Sequence, residues 1–246
     1  MSLTPKERKR MCDEVCEEVA KETDTVLLSF SCGKDSISTW LQIKPFFKRV
    51  IPYYLYTVPH LGFVDRALAY YEDFFQTRIY RYPHPSGLKM LSHGMFGAPF
   101  ESEYWIFESQ IGYTMYDYRQ LEDVIRACEG VPQEAYAAIG VRAGDSITRR
   151  VNIKQNGAVR PGLKTFYPIA YYEPDDLCDM LEASGVKLPP DYHMFQRSFD
   201  GFAEMYTRPI RDYYPEDFEK IKKYFPLVDA DIFRREVRKR RTGKWE

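Results

Sequence analysis

Apolar and polar positions alternate between two periods along the first third of the chain, and each period predicts a different element. Thr4 to Glu22 carries apolar residues at helical spacing, with Pro5 suited to a first turn and Thr4 to an N-cap. Thr25–Phe30 is a short apolar run with β-branched members, predicting a buried parallel strand. Asp35–Phe47 returns to helical spacing, Val50–Thr57 reads as a second strand, Val64–Thr77 as a helix and Arg78–Tyr82 as a third strand. Strand and helix in alternation imply a parallel sheet with right-handed crossovers. Ligands of such sheets gather at the carboxyl ends of the strands.

The second half is less regular. Pro83–Glu108 is rich in aromatics, Gly and Pro and reads as a lid or substrate loop. Asp117–Cys128 predicts a helix and Ala135–Val141 a fourth strand. Val151–Val159, with Gln155-Asn156-Gly157, predicts a hairpin on an Asn-Gly turn. Phe166–Tyr171 predicts a fifth strand, and Glu173-Pro174-Asp175-Asp176 opens a helix with acids at its positive end. Pro215–Phe225 and Asp229–Arg241 predict closing helices. The expected fold is therefore α/β, a doubly wound, mostly parallel five-stranded sheet with a C-terminal helical extension. The expected division is residues 1–200 for the α/β domain and 201–246 for the extension.

Composition narrows the function classes. The 246 residues, 44% hydrophobic and 29% charged, suit a globular chain rather than a disordered one. The net charge of −1 gives no global reason to invoke nucleic acid, but residues 234–241 are strongly basic. That tail makes a nucleic-acid partner one expectation, beside a solvated or partner-facing helix end. The five cysteines, Cys12, Cys16, Cys32, Cys128 and Cys178, are odd in number and scattered, unlike a disulfide framework. No apolar stretch is long enough to span a bilayer, and the charged start is unlike a signal peptide. A cytoplasmic setting with no membrane partner is the expectation, and a homodimer or a partner subunit fits the chain equally.

The chemistry concentrates in the loop Ser31-Cys32-Gly33-Lys34-Asp35-Ser36, between the first strand and the second helix. Gly33 lets an anion approach the backbone, the following helix start aims N–H groups at it, Ser31 and Ser36 add hydroxyls, and Lys34 adds a full charge. It is not a Walker A loop, because Leu28 stands where that motif needs its first Gly and Asp35 follows Lys34. No Gly-x-Gly-x-x-Gly fingerprint occurs either.

The loop instead resembles the Ser-Gly-Gly-x-Asp-Ser pyrophosphate (PP) loop of the adenine-nucleotide α-hydrolase superfamily, with Cys32 in place of a Gly. A second segment, Gly140-Val141-Arg142-Ala143-Gly144-Asp145-Ser146-Ile147-Thr148-Arg149, resembles the Gly-x-Arg-x-x-Glu-Ser-x-x-Arg segment of phosphoadenosine phosphosulfate (PAPS) reductases. Gly140, Arg142, Ser146 and Arg149 match directly, and Asp145 replaces Glu. The strand Tyr167-Pro168-Ile169 and its acidic helix start resemble a third family segment.

The resemblance implies an adenine nucleotide, ATP or the sulfonucleotides PAPS and APS, with Mg²⁺. It implies adenine contacts from the backbone at Ser29-Phe30 and Tyr56-Thr57, with phosphates held by Ser31, Cys32, Gly33, Lys34, Asp35 and Ser36. It places Gly140, Arg142, Ser146 and Arg149 at the phosphate or sulfate end. Lys34, Asp35 and Arg142 are the catalytic candidates, and Asp35 the metal ligand. The departure from the family is the absence of any Cys beyond Cys178, where a PAPS reductase carries its catalytic thiol. Residues 196–202 also lack Cys. The expected reaction is cleavage of the α–β phosphate bond to adenylate an acceptor, sulfate or a nucleic-acid base. The alternatives are a sulfonucleotide reductase served by an external thiol, and a nucleotide-binding module without turnover. Cys32 reads as a small neutral replacement for Gly or as a nucleophile. The remaining cysteines read as core residues or as iron–sulfur ligands.

Overall fold

The computed structural model describes residues 3–93, 95–96 and 116–242. The elements are α1 (Pro5–Ala20), β1 (Thr25–Ser29), α2 (Lys34–Ile43), β2 (Arg49–Tyr56), α3 (Gly62–Phe75), β3 (Tyr80–Pro83) and α4 (Pro85–Ser92), then α5 (Tyr118–Cys128), β4 (Ala137–Ala138), α6 (Ile147–Asn156), β5 (Val159–Arg160), β6 (Thr165–Phe166) and α7 (Pro174–Ser184), and finally α8 (Pro190–Phe195), α9 (Glu204–Tyr213), α10 (Pro215–Tyr224) and α11 (Ala230–Thr242). The fold is α/β, as expected.

The sheet has six strands in the order β3-β2-β1-β4-β6-β5. β1 pairs in parallel with β2, Leu27 opposite Ile51, and with β4, Leu27 opposite Ala137. β4 pairs in parallel with β6, and β5 closes that edge antiparallel. The strand order therefore reverses between β1 and β4.

Several expectations change. The sheet gains a sixth strand, because Val159 and Arg160 turn back beside β6, Val159 opposite Phe166. The expected hairpin over Val151–Val159 is instead the end of α6. Ser146 caps that helix by accepting from the Arg149 N–H at 3.1 Å, and Gly157 ends it at φ 79°. An Asn-Gly pair serves a hairpin turn or a helix C-terminus equally well, and the capped helix wins here. The fourth and fifth strands are shorter than expected, at Ala137–Ala138 and Thr165–Phe166. The third begins at Tyr80 rather than at Arg78. Within the expected loop Pro83–Glu108, α4 forms under a His84 cap that accepts from the Ser86 N–H. Residues 97–108 of that loop lie outside the described residues.

By contacts the chain forms two compact units. The first comprises Met1–Leu55, Tyr70–Tyr82 and Asp117–Pro189. Its core is β1, where Val26, Leu27 and Leu28 are fully buried. Beside it Phe30 meets the rings of Trp40 and Tyr71 edge-on, and Trp40 stacks on Phe75 at 3.9 Å. α1 is held by a capping box, Thr4 with Glu7, and by a two-point ion pair from Arg8 to Asp176 at 2.6 and 2.8 Å. Asp176 also accepts from the Glu173 N–H at 2.7 Å, so one carboxylate caps α7 and ties α1.

The second unit comprises Tyr56–Ala69, Pro83–Tyr116 and Pro190–Glu246. Its core is aromatic: Phe63, Phe195, Phe202, Tyr206, Phe218 and Phe225 are all buried. Within it Asp217 of α10 caps α3 from 155 residues away, accepting from the Gly62 N–H at 2.8 Å and the Phe63 N–H at 3.1 Å. Burial pushes this carboxyl up, but those amides and Lys220 outweigh it and hold it below the usual range. Among the described residues no helix is long and apolar enough to cross a membrane.

Candidate functional site

The site begins with the backbone between β1 and α2. Cys32 sits at φ 59°, in the left-handed region that favours glycine. Gly33 does not; it is extended, φ −82° and ψ 157°, and is the N-cap of α2. The sharp turn is therefore made by Cys32. This explains why a Gly is usual at that position in the resembling loop. Gly33, at the N-cap, has no side chain with which to cap α2. The loop is braced from within instead. The Ser36 hydroxyl donates to the Gly33 carbonyl at 2.9 Å and accepts from the Ser31 N–H at 3.2 Å.

The second expected motif arrives on the neighbouring strand. Gly140 follows β4 and lies against the first turn of α2. A Cβ there would stand 3.1 Å from the Asp35 carbonyl carbon and oxygen and from Thr39 Oγ1. Only a residue without a side chain allows that approach. Two residues on, Arg142 Nε donates to Asp35 Oδ1 at 3.0 Å, and Arg142 Nη2 meets Asp145 Oδ1 at 2.8 Å. Asp145 also accepts from the Arg142 N–H at 3.0 Å and from Arg149 Nη1 at 2.8 Å. Two loops that are 107 residues apart are thus joined by one guanidinium.

Between them lies a cleft of about 400 Å³. Ser29, Ser31, Asp35 and Ser36 line one side, and Ile139, Gly140, Val141, Asp145 and Arg149 the other. It sits at the carboxyl ends of β1 and β4, where the strand order reverses, the place such sheets hold ligands. Arg149 is half exposed and faces the cleft, whereas Arg142 is 7% exposed and lies behind the two carboxylates. The arginine that meets the cleft is the second of the motif. The first holds Asp35 and Asp145 in place. Ser146 is spent on capping α6.

The remaining expected residues divide. Lys34 opens α2 at the cleft's loop. Phe30 is buried among aromatic rings, and its N–H is donated to the Tyr53 carbonyl at 2.9 Å. Tyr56 and Thr57 belong to the second unit, where the Tyr56 carbonyl accepts from the His84 N–H at 2.8 Å. Ser29, an expected residue, lines the cleft, and so do Ile139, Val141 and Asp145, which were not among the candidates. Asp145 was signalled only as a substitution of Glu.

The carboxylates fit a divalent cation in one way. Asp35 Oδ1 is taken by Arg142, while Oδ2 has no partner among the described residues, and the side chain is 35% exposed. Both Asp145 oxygens are taken. A single carboxylate completed by water and substrate phosphate is a usual Mg²⁺ arrangement. Among the described residues no three His, Cys, Asp or Glu side chains gather to hold a metal by themselves.

The cysteines behave as core residues at three positions. Cys12 and Cys16 are fully buried on α1, where burial pushes both thiols up to about 12. Cys32 is 4% exposed, while Cys128 and Cys178 are exposed on α5 and α7.

No protein-family model matches the chain, and no curated protein does. Among solved structures the chain is similar to a U34-tRNA thiolase, NcsA, from Methanococcus maripaludis, described with its 4Fe–4S cluster. The identity is 12%, over 90% of this chain and 80% of that one, with a TM-score of 0.45.

Proposed function

We propose that this chain is a PP-loop adenine-nucleotide α-hydrolase that binds ATP or a related adenine nucleotide and cleaves its α–β phosphate bond to adenylate an acceptor. The observation that carries the reading is the meeting of both motifs at one cleft, across the Arg142–Asp35 pair at 3.0 Å. A chance resemblance in either segment has no reason to place the two together at the strand-order reversal.

In this reading the β- and γ-phosphates lie against the first turn of α2. The positive end of that helix and the Lys34 charge offset the pyrophosphate's negative charge as it leaves. Arg149 faces the same space from the other wall. Asp35 Oδ2 is the oxygen offered to Mg²⁺, and Arg142 orients that carboxylate through Oδ1. Bound Mg²⁺ would neutralise phosphate charge and sharpen the leaving group. An acceptor oxygen bonds to the α-phosphorus, the bond to the bridging oxygen breaks, and pyrophosphate leaves with that electron pair. The acceptor is sulfate or a nucleic-acid base. A cytoplasmic setting and assembly with a second copy or another subunit belong to the same proposal.

The test is release of pyrophosphate and AMP from ATP with Mg²⁺ across candidate acceptors. Lys34→Ala and Asp35→Asn should each lower the rate by about 10²- to 10³-fold. Nucleotide binding without turnover for every acceptor would instead make the chain a binding module. A sulfonucleotide reductase remains the second reading because of the Arg142–Arg149 segment. It requires an external thiol, since no described cysteine lines the cleft. Sulfite formed from PAPS with thioredoxin would establish it.

A further inference from the structure

The helix that carries Arg149 has an outer face that the nucleotide site does not use. Of the ten residues of α6, only Ile153 is buried. Beside it, Ile147, Arg150, Val151 and Lys154 fall at i, i+3, i+4 and i+7, and all four are exposed. Ile147 is 80% exposed, more than any other large hydrophobic described, and Val151 is 45% exposed. An amphipathic helix normally turns such a stripe inward. Here the inward position is held by the single Ile153, and the apolar pair faces water between two cations.

The charge around this face is one-sided. From Ser146 to Tyr172 the sequence contains Arg149, Arg150, Lys154, Arg160 and Lys164 and no Asp or Glu. Arg150 and Lys154 form no ion pair among the described residues. Arg160 hydrogen-bonds Asn152 and the Gly157 carbonyl and lies over the Tyr167 ring, so it meets no carboxylate. The acids that other elements bring to this stretch are Asp145, which is bound to Arg142 and Arg149, Glu22, 3.7 Å from Lys164, Glu173, beside Gly144, and Glu14 and Glu18 of α1, which act on Tyr171. Lys154 also suits the negative end of its own helix, but Arg150 in mid-helix has no such explanation.

We propose that the outer face of α6 is a docking surface for a single-stranded nucleic acid, the polymer that carries the acceptor base. The identification as the acceptor rests on the adenylation reading above. A polyanion matches a cationic stretch without acids, and Ile147 and Val151 offer apolar surface to bases or sugars. Free sulfate would need only the cleft and would leave the stripe unused. A second copy docked face to face would set cation against cation. The C-terminal helix α11 is a poorer surface, because Arg235 is paired to Glu204 at 3.1 Å and Glu236 pairs with Arg211 at 3.3 Å.

The experiment measures binding of the full chain to a labelled mixed-sequence single-stranded RNA, and to DNA of the same sequence, across a salt series. Arg150→Ala/Lys154→Ala should weaken binding at least tenfold and lower the salt slope by about 1.4, two phosphate contacts at about 0.7 each. Ile147→Ser/Val151→Ser should weaken it at unchanged slope. Both pairs should bind ATP as the parent does, and Arg240→Ala/Arg241→Ala should bind RNA as the parent does. Lys34→Ala should keep RNA binding while losing turnover, which separates a failure here from a failure of the adenylation reading. The proposal is overturned if the parent binds neither polymer, if the α6 variants bind as the parent does, if the α11 variant is the one that loses binding, or if polyglutamate competes as well as RNA.

Discussion

Arg142 Nε reaches Asp35 Oδ1 at 3.0 Å, and by that bond a residue four positions beyond β4 fixes a carboxylate in the first turn of α2. The same guanidinium holds Asp145 at 2.8 Å. Its side chain is 8% exposed, so the pairings are screened weakly by water.

Removing Arg142 should therefore damage both stability and the site. Arg142→Ala removes the cation at Asp35 Oδ1 and leaves Asp145 with Arg149 alone. Urea unfolding should show a loss of about 3 kcal/mol, as for a largely buried pair broken on one side. Arg142→Lys cannot span both carboxylates and should recover only part of it. An unchanged midpoint for Arg142→Ala would show that the pairs contribute nothing.

The tight passage at Gly140 gives a second prediction. Gly140→Ala would set a methyl 3.1 Å from the Asp35 backbone, which cannot move without displacing α2. The expected cost is about 1–3 kcal/mol by chemical denaturation, with weaker ATP affinity. Gly162→Ala, where a Cβ meets nothing within 4 Å, is the matched control and should change neither.

Cys32 tests backbone strain apart from thiol chemistry. At φ 59° a side chain costs about 1–2 kcal/mol that glycine escapes. Cys32→Gly should be at least as stable as Cys32→Ala, although glycine elsewhere costs about 0.5–1 kcal/mol relative to alanine. Both should keep pyrophosphate release. Loss of turnover in both, with binding retained, would make the thiol a nucleophile instead.

Glu122 supplies a pH dependence. It is buried, and burial pushes its carboxyl above the usual 4.5 despite the Tyr53 hydroxyl donating to it at 3.1 Å and nearby Arg126. The folded state then holds a proton that the unfolded state has released. Stability contributed by this group is full below about pH 4.5 and falls as pH rises through the folded value. Glu122→Gln keeps an acceptor for Tyr53 and should remove that decline. Its stability curve should match the parent near pH 4 and lie above it at neutral pH. A parallel displacement at every pH would assign the effect to packing.

Local order alone settled much of this protein. The apolar run Val26-Leu27-Leu28 is a buried central strand wherever it packs, because its neighbours on both faces must exclude water. Thr4 with Glu7, Asp117 with Gln120, and Glu173-Pro174 set helix starts through bonds between residues three apart or less, which a sequence displays directly. The turn at residues 31–36 was legible because an apolar strand run ends before it and helical spacing begins after it. What needed the tertiary structure was every decision made across long separations. Whether Asn156-Gly157 turned a hairpin or ended a helix depended on β6 lying ready to receive Val159 at the sheet edge. The roles of the two arginines depended on depth, since Arg142 is drawn between Asp35 and Asp145 while Arg149, one helix start further on, faces the cleft. Sequence names the cations, but burial and partner decide which one faces the cleft and which one positions the acids beside it.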